Sequence, residues 1–414
     1  LSVLQPVRGT HDLLPEEMRK HRVVTEAGRE IAERYGYLEM STPIFEFTDV
    51  FKRTLGDTSD IVTKEMYTFA IGDGDQITLR PENTASVVRA VMSNGLTQQL
   101  PLKFYYSGPM FRHERPQKGR QRQFHQIGVE LFGVPDPSGD VEIIACGAHI
   151  LDELGILSRT RLELNTLGTP DCRKAYRESL VTYFQDHKDR LSDDSRDRLD
   201  RNPLRILDSK NRGDQALVAE APVFASFLSQ ESQDFFGAVK DGLEKLGIGY
   251  VLNPRLVRGL DYYCHTAFEF KTDELGAQDT VMGGGRYDYL MEMMGGPAMP
   301  GVGWAAGVER IALMASKKPV LRRPIAIVPI GDAASEVANR LAAELRRDGF
   351  AVDVAFSGNM KKRMRRADRI NAVAAVLLGE DELAQESATL RDLGSGEQKL
   401  VPLASLKDQL GSFR

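Results

Sequence analysis

FYYSGPMFRHERPQKGRQRQFHQIGVELFG, residues 104–133, carries the pattern from which the rest of the chain is read. Its second half alternates strictly between two kinds of side chain. Successive side chains of an extended strand point to opposite faces, so Phe124, Gln126, Gly128 and Glu130 share one face and His125, Ile127, Val129 and Leu131 the other. The second row is mainly core material. An aromatic, an amide, a glycine and a carboxylate pack poorly on an apolar layer. They suit the wall of a polar cleft, where glycine leaves room for a ligand. The plain alternative is an edge strand with one wet face. Arg112 at the end of the preceding strand, and the basic loop between the two, favour the cleft.

Working outward, residues 16–35 set Val24, Ala27, Ile31 and Tyr35 at steps of three and four and stop at Gly36, which predicts an amphipathic helix. Strands are expected at 76–81, 102–113, 123–133, 256–270 and 280–287, with helices at 83–94, 138–154 and 307–316. Between 171 and 250 the texture turns helical and charge-dense, as in HKDRLSDDSRDRLDRN. That stretch reads as an insertion. The expected domains are therefore 1–170 and 251–320 as one body around the insertion 171–250, followed by a tail, 321–414. In the tail, strands at 325–330, 350–356, 373–378 and 398–403 alternate with helices at 333–347 and 360–371, the pattern of a small α/β unit with parallel pairing.

A chain of 414 residues, 42% hydrophobic and 27% charged, has material for two or three cored domains. Disordered, collagen-like and disulfide-stapled classes are excluded. Cys146, Cys172 and Cys264 form no C-x-x-C pair, so a reducing compartment is expected, and no structural metal. Apolar runs such as 325–330 and 373–378 fall well short of the ~20 residues a bilayer span needs. The sequence opens at Leu1 rather than Met, which leaves room for a short upstream piece. It shows no basic n-region followed by an apolar stretch, and a cytoplasmic location is expected. The net charge of −5 hides two basic windows, 112–122 with five Lys or Arg against one Glu, and 361–369 with six against one Asp. Either could meet phosphate; an isolated run of this kind is more often a solvated face.

Arg112 with HERPQKGRQRQF, LVRGLDYY at 256–263 and GVGWAAGVERI at 301–311 together resemble the histidyl-tRNA synthetases, class II aminoacyl-tRNA synthetases. RGTHDLLP at 8–15, LRPENTA at 79–85, NPLRILDSK in the insertion and GGGRYDYL at 283–290 extend the resemblance along the chain. Their order and spacing make it specific. It implies an α+β catalytic domain with an antiparallel sheet of class II type, here of six or seven strands. A helical insertion and a C-terminal α/β anticodon-binding domain complete the expected fold. The implied activity is ATP-dependent ligation of L-histidine to its tRNA through histidyl-adenylate. Pro43 in YLEMSTPIFE matches the proline of the first class II motif, so a homodimer is implied.

The chemistry of that reaction can be set beside the residues. A histidine carboxylate attacks the α-phosphorus of ATP and pyrophosphate leaves. The nucleophile is already ionised, so the demand is for positive charge around a crowded, negative phosphorus rather than for a base. Arginine meets it with a planar fork of donors. The resemblance assigns Arg112 to the α-phosphate and carboxylate, Arg258 as a second charge there, and Arg310 to the adenine and γ-phosphate. Phe124 would stack on the adenine, with Glu114 and Arg120 completing the nucleotide site and Mg2+ bridging the phosphates.

A neutral imidazole presents one donor and one acceptor, for which Glu130 and Tyr263 are the candidates. Sites that hydrogen-bond a polar substrate reject analogues lacking it, in keeping with the absence of any evident editing domain. Glu82, Thr84 and Gln126 would hold the α-amino group, Asn83 would also belong to the histidine site, and Tyr262 would close the pocket. Asn83 departs from the family, which has glycine between the Glu and Thr of this loop. Asn is expected to serve because it tolerates left-handed backbone angles. Gly283, Gly284 and Gly285 are expected to admit close backbone approach in the histidine pocket. For tRNA, Gln117, Lys118 and Arg122 would approach the acceptor end, while Lys361, Lys362 and Arg365 on the basic tail helix would meet the anticodon region.

Two other readings use the same scaffold. A regulatory paralogue, such as the partner of a short ATP phosphoribosyltransferase, would bind histidine without activating it. A docking protein would keep the fold alone. The tail and the three arginines Arg112, Arg258 and Arg310 argue against both.

Overall fold

The computed structural model describes residues 3–56, 61–72, 74–116, 119–257, 260, 262–276 and 279–413. They fall into two units, Leu1–Pro319 and Val320–Arg414. Arg258, Gln117 and Lys118 lie outside the described residues.

The first unit is built on an eight-stranded sheet. In spatial order its strands are Leu38–Glu39, Leu102–Phe111, Gln123–Phe132, Gly301–Gly307, Thr280–Arg286, Cys264–Lys271, Arg161–Thr166 and Val251–Leu252. The six inner strands pair antiparallel. The two outermost pair parallel to their neighbours. Six or seven strands were expected; the edge strands are two residues long, too short for any alternation to show.

Alternation on the inner strands divides the core into two layers. Ile127, Val129 and Leu131 join Val302, Trp304, Ala306, Phe268 and Phe270 under the first helix, Pro15–Arg34, and the helix Ser138–Glu153. On the opposite side lie Phe104, Tyr106, Met110, Tyr262, Tyr263 and Tyr287, with the helix Thr84–Ser93. Arg286 and Asp140 form a fully buried ion pair that ties a sheet strand to a helix. Beside this sheet a three-stranded one, ordered Phe45–Phe47, Asp75–Leu79, Tyr67–Ile71, carries the segment around Pro43.

The strand expected over 256–270 begins only at Cys264. Residues 253–256 close a turn, Leu256 N–H donating to Asn253 O at 2.9 Å. Arg255 donates to the carbonyls of Ala221 and Pro222 at 2.7 and 2.9 Å, which fastens that turn to the helical stretch. The stretch between 170 and 250 has four helices of nine or more residues, Pro170–Asp186, Asp193–Arg201, Arg212–Glu220 and Gln230–Lys245. Each is capped by a side-chain oxygen that accepts from its first turn, from Thr169, Ser192, Asn211 and Ser229. Three of them bury only one or two apolar residues each and Pro170–Asp186 buries Cys172, Tyr176, Leu180 and Phe184, so most of their positions are left to charged and polar residues. Tyr176, Leu180, Phe184, Leu199, Ile206, Leu217 and Phe224 form a core of their own.

The second unit has five strands in the order Val352–Val354, Ile325–Pro329, Ala374–Leu378, Ser387–Asp392, Gln398–Pro402. The first three are parallel and the last two antiparallel. The expected parallel pairing holds for the first three strands, and Ser387–Asp392, which was not expected, adds antiparallel pairing on both its sides. SATLRD has no valine, isoleucine or aromatic residue to mark it.

Candidate active site

The polar row of Gln123–Phe132 faces a cleft of about 980 Å³, open solvent included. The hollow exists because of what is absent opposite. Glu130, Gly128 and Gln126 pair with Gly303, Ala305 and Gly307 of the neighbouring strand, so that strand offers at most a methyl group to the row. A side chain at Gly303 would run into the Glu130 carboxylate and the Val129 carbonyl; one at Gly128 would run into the Tyr106 ring and Trp304 O.

At one end sits the carboxylate Glu130, fully buried. Thr84 Oγ1 donates to one of its oxygens at 2.8 Å, and the Tyr287 hydroxyl donates to the other. Burial pushes the Glu130 carboxyl up to about 8, against the pull of those two hydroxyls. Glu82 lies at the N-terminus of Thr84–Ser93 and accepts from the backbone N–H of Thr84 at 2.7 Å and Ala85 at 3.0 Å. Its carboxyl is raised too, burial outweighing those hydrogen bonds. Tyr262 and Tyr263, both buried, pack with ring centroids 4.6 Å apart and planes tilted by 45°, and close this end with Leu260. The Gln126 side-chain oxygen is buried and has no hydrogen-bond partner among the described residues. An acceptor left open in a cleft fits a ligand donor.

At the other end guanidinium groups gather. Arg112 donates from Nε to Pro81 O at 2.9 Å and lies over the Phe124 ring, 5.4 Å from its centroid. Glu114 is ion-paired to Arg120 and lies 3.8 Å from Arg112 Nη1. Arg310 donates to the carbonyls of Gly119 at 3.1 Å and Thr280 at 2.7 Å. Burial, and then the like charges of Arg120 and Arg112, lower the Arg310 pKa. A polyphosphate arriving there would relieve that crowding.

Behind this end, His125 donates its backbone N–H to the Glu309 carboxylate at 2.9 and 3.0 Å, and its Nδ1 lies 2.9 Å from the same group. These bonds fasten the residue after Phe124 to the residue before Arg310. His21, His125 and Glu309 are the one group among the described residues whose donor atoms could converge on a metal ion, all within 4.8 Å of one another.

The comparisons with known proteins agree along the whole chain. Residues 9–311 match the family model described as histidyl-tRNA synthetase, and residues 324–412 the anticodon binding domain. The chain belongs to the histidyl-tRNA synthetase family. It is 58% identical to a histidine–tRNA ligase of Rhodospirillum rubrum over 414 residues, covering all of both chains. It is 54% identical to that of Gluconobacter oxydans, again over both full lengths. Among solved structures, apo histidyl-tRNA synthetase of Staphylococcus aureus superposes with a TM-score of 0.82 at 35% identity, covering 98% of this chain and 99% of that one. A Bacillus halodurans structure titled as an ATP phosphoribosyltransferase regulatory subunit or histidyl-tRNA synthetase has a TM-score of 0.67 at 21% identity and shows the shared fold alone.

Of the residues a histidyl-tRNA synthetase site would need, Glu82, Thr84, Arg112, Glu114, Arg120, Phe124, Gln126, Tyr262, Tyr263 and Arg310 line one cleft. Glu130 lies just beneath, reached through Thr84. Asn83 does not face the cleft. Its Oδ1 accepts from Thr42 Oγ1 at 2.8 Å and Arg80 Nη1 at 3.1 Å. Its φ of −113° also removes the expected need for a left-handed residue. Of the three glycines only Gly283 lines the cleft; Gly284 and Gly285 instead let the neighbouring strands close up. Arg122 donates to Arg8 O at 3.2 Å and Glu114 O at 3.3 Å, which makes it a brace between the N-terminal segment and the basic loop. Tyr287, Glu269 and Glu309 were missed. Glu269 alternates with the core residues Phe268 and Phe270, a signal that put it on the cleft side.

Proposed function

We propose that this cleft holds L-histidine at the Glu82–Glu130 end and ATP at the arginine end, with the two meeting near Gln126. As a member of its family the chain is a histidine–tRNA ligase, using ATP to join histidine to tRNA. Glu82, Thr84 and Gln126 receive the α-ammonium group. Tyr263 and Glu130 read the imidazole, Glu130 with its orientation set by Thr84 and Tyr287, and Tyr262 packs over the substrate. The histidine carboxylate then lies toward Arg112, which with Arg258 draws charge from the α-phosphate as pyrophosphate departs. Phe124 and Arg310 hold the adenine between them, and Arg120 with Glu114 frames the phosphates. In the second step the terminal ribose hydroxyl of tRNA attacks the acyl carbon and AMP leaves.

ATP enters as its Mg2+ complex. Glu114 and Glu269 in the cleft wall are carboxylates of the kind that share Mg2+ with phosphate oxygens. A homodimer through the three-stranded sheet is supported by Phe45, Phe47, Phe69 and Ile71, all 45–60% exposed on the two outer strands of that sheet. The catalytic body is assigned to 1–170 and 251–320, with the insertion 171–250 clasping the acceptor stem. The tail 321–414 binds the anticodon arm through Lys361, Lys362 and Arg365, and the loop with Gln117 and Lys118 approaches the acceptor end. No helix among the described residues is long and apolar enough to cross a membrane, which is compatible with work in the cytoplasm.

The observation that carries this reading is the single cleft with three arginines at one end and two buried carboxylates at the other. ATP–pyrophosphate exchange, run with each of the twenty amino acids and no tRNA, tests it. Exchange that depends on histidine alone is the expected result. Histidine binding by calorimetry without exchange would overturn it in favour of a regulatory paralogue.

A further inference from the structure

The second unit exposes a large aromatic side chain where a folded surface gains nothing from it. Phe356 is 85% exposed, with Met360 46% and Ile330 39% exposed. All three belong to the carboxyl end of the parallel strands. Ile327 pairs with Val354, so the segments that follow, with Ile330 and Phe356, emerge side by side. The loop between is braced. Ala355 N–H donates to Ile327 O at 3.2 Å, and Asn359 Oδ1 accepts from Lys362 N–H at 3.1 Å to cap the basic helix Met360–Arg369. Arg363 donates to Gly358 O at 2.8 Å and also to Pro329 O, joining the loop to the central strand.

Charge at this end of the sheet differs from strand to strand. Arg366 is paired with Asp353 at 2.7 Å. Lys361, Lys362 and Arg365 are left exposed on the helix. The strand Ala374–Leu378 is followed by the helix Glu380–Ala384, which opens with Glu380 and Asp381, a Glu380 oxygen lying 4.0 Å from where a side chain on Gly331 would begin. A phosphate chain is drawn over the helix and repelled from the acidic end. An exposed aromatic face just ahead of the basic helix is what an unpaired base needs, since every base has a face to stack and stacking is worth about 1–3 kcal/mol per base.

We propose that Phe356, flanked by Met360 and Ile330, is a stacking platform for one unpaired base of the bound tRNA, whose phosphates lie along Lys361, Lys362 and Arg365. This rests on the reading that the tail binds the anticodon arm. It adds a residue and a mode of contact that the charges alone do not supply. Because the loop is already braced, the ring is presented with little ordering left to do on binding.

The test uses the full chain, an unmodified tRNA(His) transcript, and the same transcript made abasic through the anticodon loop. Phe356→Ala should weaken binding of the intact transcript about tenfold and leave histidine-dependent pyrophosphate exchange unchanged. Phe356→Trp should restore binding. The salt dependence of binding should keep its slope in Phe356→Ala but flatten in Lys361→Ala/Lys362→Ala/Arg365→Ala. On the abasic transcript Phe356→Ala should have no effect. If the triple variant weakens binding and Phe356→Ala does not, stacking is overturned and RNA binding by the tail survives. If neither weakens it, both fall. An equal loss on both transcripts, or a change in oligomeric state without a change in tRNA affinity, would assign Phe356 to a protein contact instead.

Discussion

Replacing Glu130 by Gln separates the chemistry of the proposed histidine pocket from its packing. The carboxylate is fully buried, held by Thr84 at 2.8 Å and by Tyr287. Burial raises its pKa from 4.5 to about 8. The folded chain therefore keeps this proton to higher pH than the unfolded chain does. Stability is full below about 4.5 and drains away as pH rises toward 8. Between pH 5.5 and 8 the slope is about 1.4 kcal/mol per unit, so ionising this one group takes roughly 3 kcal/mol from the wild type. Glu130→Gln has nothing to ionise and should not lose it. Urea denaturation of both proteins at pH 5.5, 7 and 8 measures this directly, because every other titrating group cancels in the difference. Saturating histidine should flatten the wild-type slope, since an imidazole N–H is a partner for the ionised carboxylate. Histidine activation by the variant should fall much further than its affinity for ATP. Parallel stability curves for the two proteins would refute the assignment of a costly buried carboxylate.

Four further outcomes are expected. Asp140→Asn strips Arg286 of its fully buried partner and should lower unfolding stability by about 3–5 kcal/mol in urea; a loss below 1 kcal/mol would mean Asp288 suffices. Asn83→Gly removes the acceptor used by Thr42 and Arg80 and should cost about 1–3 kcal/mol of stability with the KM for histidine unchanged, whereas a raised KM would return Asn83 to the site. Arg258→Ala should abolish adenylate formation while histidine still binds in calorimetry, and near-normal exchange would remove it from the α-phosphate. Deleting residues 324–414 should spare exchange and impair tRNA charging; unimpaired charging would refute the anticodon assignment.

The cleft was legible because it is written in period two. Phe124, Gln126 and Glu130 alternate with Ile127, Val129 and Leu131, and a strand can sort such rows in only one way. The opposite wall was written the same way and passed over. Gly303, Ala305 and Gly307 alternate with Val302, Trp304 and Ala306, which marks a strand that packs on one face and is bare on the other. Tyr287 and Glu309 could not be found by local pattern, because their roles come from pairing across 157 and 184 positions of chain. The strand expected from Leu256 failed for a similar reason. Its first residues are held by Arg255 against carbonyls more than thirty positions away, a tertiary latch that overrides local propensity.

One wall of the cleft, at Gly283, Ala305 and Gly307, is largely peptide plane where most pockets have side chains. Across from Gln126, Gly307 contributes no rotamer, and Ala305 offers only a methyl group. A side-chain wall adapts to a misfit by turning a χ angle, whereas a wall of backbone can yield only by bending a hydrogen-bonded sheet. Shape errors in a bound molecule must therefore be absorbed on the tyrosine side, by Tyr262 and Tyr263. An inhibitor enlarged toward this wall meets a rigid plate, and one enlarged toward the tyrosines meets rings that can move. Resistance to the second kind can arise by substituting a tyrosine; resistance to the first would require a change in the sheet itself.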